Sequence, residues 1–159
     1  MLADIVLDTN VLMHADDPEE IRHQMSRALL RELSTCATHL CVDEGFDVNE
    51  ANNRSIIGSE YLKHLRFGMF GYELVRHLAS SLRVKQVPRK VPQRVSAHIQ
   101  RQVPQGPDRT YLRVAYNSEN KTLACHDFDD VPNAVRVRLQ KAIGLEILDA
   151  EAATALLCL

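Results

Sequence analysis

The apolar run Ile5-Val6-Leu7 stops abruptly at Asp8-Thr9-Asn10 and turns apolar again at Val11-Leu12-Met13. A short run rich in β-branched residues, closed by turn-forming polar residues, reads as a buried parallel strand. Its carboxylate, Asp8, then falls just past the strand's carboxyl end, where open α/β sheets place their ligands. Much later, Leu123-Ala124-Cys125 leads into His126-Asp127-Phe128-Asp129-Asp130, a second strand ending in acid. If the two strands are neighbours, Asp8 and Asp127 converge. Converging carboxylates repel unless they share protons or bind a cation, so the pattern points to a hard divalent metal.

The rest of the chain alternates in the same way. Strand one, over 3–7, is followed by acids and Pro18. An amphipathic helix near 19–34 comes next, with Ile21, Met25, Ala28, Leu29 and Leu33 on one stripe. His39–Val42 reads as strand two. Asp43, Glu44, Gly45 and the Asn-rich 49–53 predict turns or a small hairpin returning through Ser55-Ile56-Ile57. Ser59 reads as the N-cap of a helix carrying Tyr61, Leu62 and Leu65. Gly68 and Gly71 interrupt it before a further helix with Leu74, Val75 and Leu78. The prolines at 88 and 92 predict an extended basic loop over 84–92. A helix near 93–102, a turn at 104–107 and a helix opened by Asp108 follow. The end reads as a strand at 121–125, a helix at 132–142, a strand at 145–148 and a terminal helix capped by Asp149. This order predicts a three-layer α/β/α domain with a mainly parallel sheet of four or five strands, one domain over residues 1–159.

At 159 residues, with 45% hydrophobic and 25% charged residues, the chain fits a globular domain. No apolar stretch approaches the roughly 20 residues that span a bilayer. The first residues lack the basic region of a signal peptide. Cys36, Cys41, Cys125 and Cys158 show no metal-ligand spacing and read as reduced thiols of a cytoplasmic protein. The net charge of −2 hides an asymmetry: residues 61–113 carry 11 Lys/Arg against 2 Asp/Glu, and both flanks are acidic. A basic block beside an acidic pocket suits a polyanion held by cations while metal acts on it. Lys63, Arg66, Arg89, Lys90 and Arg94 are the candidate contacts, with the stretch around Arg89 expected to be an exposed loop. The competing reading is a set of solvated helix faces.

Further acids are candidates for the pocket. Asp108 follows a Gly-Pro turn at a helix start, and Glu60 sits just after Ser59; the helix dipole alone would account for either. Asp43 and Glu44 follow a strand end directly. Asp129 and Asp130 either extend the pocket or cap the helix after Pro132. Asn10, Asp43 and Asp129 are placed to support the ligands by hydrogen bonding, a role that matters to a metal site as much as ligation does.

Together these motifs resemble the PIN-domain nucleases. Ile5-Val6-Leu7-Asp8-Thr9-Asn10 looks like their opening strand with Asp, Thr/Ser and Asn/Ser. Asp108 with Tyr111, Val114 and Ala115, then Leu123-Ala124-Cys125-His126-Asp127-Phe128-Asp129, is similar to their later acidic motifs. The resemblance implies a parallel sheet, and Mg²⁺ or Mn²⁺ held by Asp8, Asp108 and Asp127. It also implies hydrolysis of phosphodiesters, mostly in RNA. A subgroup comprises toxins, which implies an antitoxin-like partner and allows a homodimer. The second acidic motif departs from the family's spacing. Glu60 has the right helical setting, Glu44 has the more usual distance from Asp8, and Asp43 remains an additional candidate. Glu60 is preferred because a helix aims it rigidly.

Two other classes compete. Haloacid-dehalogenase-type phosphatases need Asp-x-Asp after strand one, and position 10 is Asn. Receiver-type sites need a Lys on a late loop, and Lys121 opens its strand at the wrong end. A catalytically silent module that binds nucleic acid or protein is the third reading.

Overall fold

The side chains of Ile5, Val6 and Leu7 have no exposed surface, as a strand covered on both faces requires. In the computed structural model, which describes residues 1–158, this segment is β1 (Asp4–Leu7). It is followed by α1 (Thr9–His14), α2 (His23–Thr35), β2 (His39–Asp43), α3 (Ile56–His64) and α4 (Phe70–Ser80). Then come β3 (Val84–Val87), α5 (Gln93–Gln102), α6 (Pro107–Asn117), β4 (Thr122–Ala124), α7 (Asn133–Ile143), β5 (Glu146–Leu148) and α8 (Ala150–Leu157). The strands form one parallel sheet in the order β3-β2-β1-β4-β5. Helix α6 lies over β1, β2 and β4, with α5 beside it and against α7. Helix α2 packs with α4 and α8 in the other layer. No described helix is long and apolar enough to cross a membrane.

The strand order reverses direction at β1. From there the chain first builds outward to β2 and β3, then returns to add β4 and β5 on the other side. A crevice opens at such a switch point, past the carboxyl ends of the two central strands. Register fixes what faces it. Leu7 is paired with Ala124, and Asp8 donates its backbone N–H to the Ala124 carbonyl at 2.9 Å. The next residues, Asp8 and the Cys125–Asp127 segment, therefore emerge side by side.

Several local expectations are corrected. Residues 44–55 form no hairpin. Glu44–Arg54 is a loop of Asx-type turns, in which Asp47 and Asn49 each accept a backbone N–H two residues on. The cap of α3 is Ser55, not Ser59: its hydroxyl accepts from Gly58 N at 2.8 Å. Glu60 thus lies in the second turn. The segment after Asp8 is already helical, because Asp8 itself takes the cap position of α1. Part of the expected basic loop is the edge strand β3, which ends at Val87 just before Pro88, whose missing N–H cannot extend a ladder. The polar Lys85 and Gln86 masked the strand in the sequence. Gln86 ties down the 44–54 loop, accepting from Gly45 N and donating to the Phe46 carbonyl.

Candidate metal centre

Asp8 is only 5% exposed and has no cation within ion-pair distance among the described residues. Burial pushes its carboxyl up to about 6; the Cys125 thiol, donating to Oδ2 at 3.4 Å, opposes this, and the charge of Asp127 adds to it. Asp127 follows β4 in a loop that folds back on itself: its Oδ1 accepts from Asp129 N and Asp130 N at 3.1 and 3.0 Å. That turn brings the Asp130 carboxylate over Asp127. Asp108, second residue of α6, arrives from the helical layer above β1 and β4. Carboxylate oxygens of Asp108, Asp127 and Asp130 all lie within 4.8 Å of one another. Asp108 is pushed up to about 7 by burial, then by the charges of Asp8, Asp127 and Asp130. Carboxylates this close repel one another, and a shared proton or a bound cation relieves the repulsion.

The expected set is therefore only partly assembled by the fold. Asp108 and Asp127 meet, and Asp8 is coupled to both through its field. Glu60 is outside the three-acid cluster, with its carboxylate 3.5 Å from His64 Nε2. It still lies near enough for its charge to act on Tyr111, which in turn hydrogen-bonds Thr9 beside Asp8. Asp130 joins instead. The sequence offered it as an extension of the pocket or a helix cap, and the Asx turn on Asp127 is what turns it toward the cluster. Asp129, expected to support the site with its side chain, does so through its backbone N–H alone and is otherwise exposed. Asn10 likewise approaches Asp8 through its backbone N–H.

Asp43 is corrected from candidate ligand to helix cap. It has no exposed surface. Its carboxylate accepts from Ser55 Oγ, from Ile56 N at 2.7 Å, from Ile57 N at 2.9 Å and from Arg89 Nη1 at 2.8 Å. With Ser55 serving Gly58, the first three N–H groups of α3 are all satisfied. Asp43 thereby holds the helix that carries Glu60, and has no oxygen left for an ion. The same pair corrects Arg89, which is half-buried against Asp43 and Glu44 and is no free cation of an exposed loop. Lys63, Arg66, Lys90 and Arg94 are exposed.

Two further groups, Arg136 and His126, shape the site. Arg136, on α7, is 7% exposed. It donates to the carbonyls of Val131 and Asp127 at 2.8 and 3.2 Å and stacks on Phe128, with Arg22 on the same ring. It clamps the loop that presents Asp127 and Asp130. His126 accepts the Ala150 N–H at Nε2, so Nδ1 carries its proton and donates to His14 Nδ1 at 2.9 Å. Burial pushes its pKa down to about 4. A ring whose two nitrogens are both engaged is a strut between β4 and α8, not a free acid or base. Of the aromatic residues Tyr61, Phe67, Phe70 and Tyr72, Tyr61 is buried and presents no face to a base. Among these Phe67 is exposed, edge-on to Tyr72.

The donors are all oxygens, converge without a cation and sit in a partly desolvated crevice. That chemistry fits Mg²⁺ or Mn²⁺, which favour carboxylate and water ligands. No protein-family profile matches the chain, and no curated protein matches it.

Proposed function

We propose that the chain is a metal-dependent nuclease that hydrolyses phosphodiester bonds, most directly in single-stranded RNA. The observation that carries this reading is the convergence of Asp108, Asp127 and Asp130 at the switch point, with the buried Asp8 close enough for its charge to act on Asp108 and Asp127. The motif resemblance to PIN-domain nucleases and the basic middle of the chain support it, and the free thiols suit a reducing compartment such as the cytoplasm. Asp8, Asp108, Asp127 and Asp130 would hold Mg²⁺ or Mn²⁺, with Glu60 completing the set from α3. When bound, such an ion activates water and stabilises charge on phosphate oxygens.

The chain's own groups supply the rest. Asp127 is oriented by two backbone N–H groups and by the Arg136 clamp, so its free oxygen has a fixed direction. The Cys125 thiol, whose pKa burial drives upward, stays protonated and donates to Asp8. Tyr61 and Tyr111 are likewise held neutral by burial, so they orient the strand end without adding charge. Among the described residues, no Ser-His-Asp or Cys-His arrangement competes as a nucleophile.

The test is cleavage of end-labelled single-stranded RNA by the parent and by Asp8→Asn, with Mg²⁺, with Mn²⁺ and with EDTA. Cleavage by the parent that needs metal and disappears in the variant is the expected result. A parent that binds the RNA but leaves it whole in both metals belongs to the silent-module class.

A further inference from the structure

A groove of about 360 Å³ runs beside the acidic cluster, lined by Ile56, Gln105, Pro107, Arg109, Thr110 and Arg113. It is bounded by the first turns of α6 on one side and by the start of α3 on the other. No acid lines it. Asp108, the neighbour of Pro107, points instead into the cluster with Asp127 and Asp130. The two arginines differ. Arg109 is partly spent, donating Nε to the Val103 carbonyl and Nη2 to Gln100 at the end of α5. Arg113, half-exposed, has no hydrogen-bond or ion-pair partner among the described residues. It lies five residues beyond Asp108, about 7.5 Å further along the helix axis. Ile56 is 40% exposed and offers an apolar surface opposite.

We propose that this groove seats the sugar-phosphate backbone of single-stranded RNA and leads it to the acidic cluster, with Arg113 as the principal phosphate contact. The inference rests on the nuclease reading for its orientation but makes a separate claim about binding. Guanidinium is suited to bidentate phosphate contact, and Arg113 is an unspent cation in the groove, on the same helix as Asp108. Arg89, the cation that the sequence favoured, is neutralised by Asp43. Ile56 and the Thr110 side chain provide the small apolar and hydroxyl surface along which a flexible strand can lie.

The experiment measures fluorescence anisotropy of a labelled uridine 12-mer RNA, in EDTA and in Ca²⁺, across a salt series. The proteins are the parent, Arg113→Gln, Arg113→Glu and Arg101→Glu. Arg101 is exposed at the end of α5 and outside the groove, so its variant carries the same charge change elsewhere. Arg113→Glu is expected to weaken binding at least tenfold. Arg113→Gln should reduce the slope of log affinity against log salt by about 0.7, one single-strand phosphate contact. Arg101→Glu should bind as the parent does. Parent-like affinity in both Arg113 variants, or an equal loss in Arg101→Glu, overturns the groove. Metal-dependent cleavage is scored separately on the same RNA. Lost binding without any parental cleavage leaves the groove standing and removes the nuclease reading; cleavage with unchanged Arg113 binding does the reverse.

Discussion

The hydroxyl of Tyr61 donates to the carbonyl of Leu7 at 2.5 Å, joining the middle of α3 to the last residue of β1. One residue along on each element stand Glu60 and Asp8. The bond therefore sets the height of α3 against the strand end that opens the acidic site. Asp43 fixes the same helix from its other end.

Tyr61→Phe leaves a buried carbonyl without its donor. The expected cost is about 1–2 kcal/mol of stability, read from urea denaturation. A drop in cleavage larger than the loss of folded protein should accompany it, because α3 is then free to shift. Unchanged stability would mean that the Leu7 carbonyl finds another donor.

Asp43→Ala removes the cap of α3 and strands Arg89 in a half-buried position. Breaking a buried pair typically costs roughly 3–5 kcal/mol, so this variant should be among the most damaging single changes. Glu44→Ala, which loses an exposed ion pair and an exposed backbone hydrogen bond, both to Arg89, should stay within about 1 kcal/mol of the parent. Equal unfolding midpoints for the two would contradict the capping assignment.

Asp8→Asn should abolish metal-dependent cleavage and also raise the stability of the metal-free protein at neutral pH. The carboxyl is lifted from 3.8 to about 6 in the folded state. The folded protein thus holds a proton that the unfolded chain has released, and Asp8's contribution is full below about pH 4 and lost as pH rises through 6. Parent and variant should be alike near pH 4. At pH 7 the variant should lead by as much as roughly 3 kcal/mol. Thermal melts of both proteins in EDTA check this, and a gap that shrinks with rising pH would reverse the sign.

Glu60→Gln and Asp130→Asn divide the question of the remaining ligand. If Glu60 completes the set, its variant should lose most cleavage while melting like the parent, since its carboxylate makes only a half-exposed contact to His64. Asp130→Asn should weaken Mn²⁺ binding in calorimetry, because its oxygen lies within 4.8 Å of both Asp108 and Asp127. Full activity in Glu60→Gln would leave the four aspartates as the whole site.

The central strands were legible in the sequence because burial on both faces leaves an uninterrupted apolar run, and the strand-end acids stood out against it. The alternation of elements followed from the same contrast. Other features depend on partners far along the chain. Asp43 looks like any strand-end acid until Ser55 and Arg89 close on it. Edge strand β3 exposes one side, so Lys85 and Gln86 broke its pattern. Arg136 resembles any helical arginine, because its task is set by the carbonyls of a loop that only the fold brings under it. Asp130 was legible as a pocket candidate beside Asp129, and only the turn on Asp127 decides between the two.

The switch-point architecture also sets a schedule for assembly. Cys125 Sγ and Asp8 Oδ2 touch across 117 residues of chain, and β4, which lies beside β1, follows β2 and β3 in the sequence. A chain emerging from the ribosome therefore carries Asp8 long before Asp127 and Asp130 exist to meet it. Proteolytic loss of the segment beyond α6 would leave β1, β2 and β3 with Asp8 and Asp108 but without Asp127 and Asp130. The acidic centre is one of the last things this molecule makes, and one of the first that truncation removes.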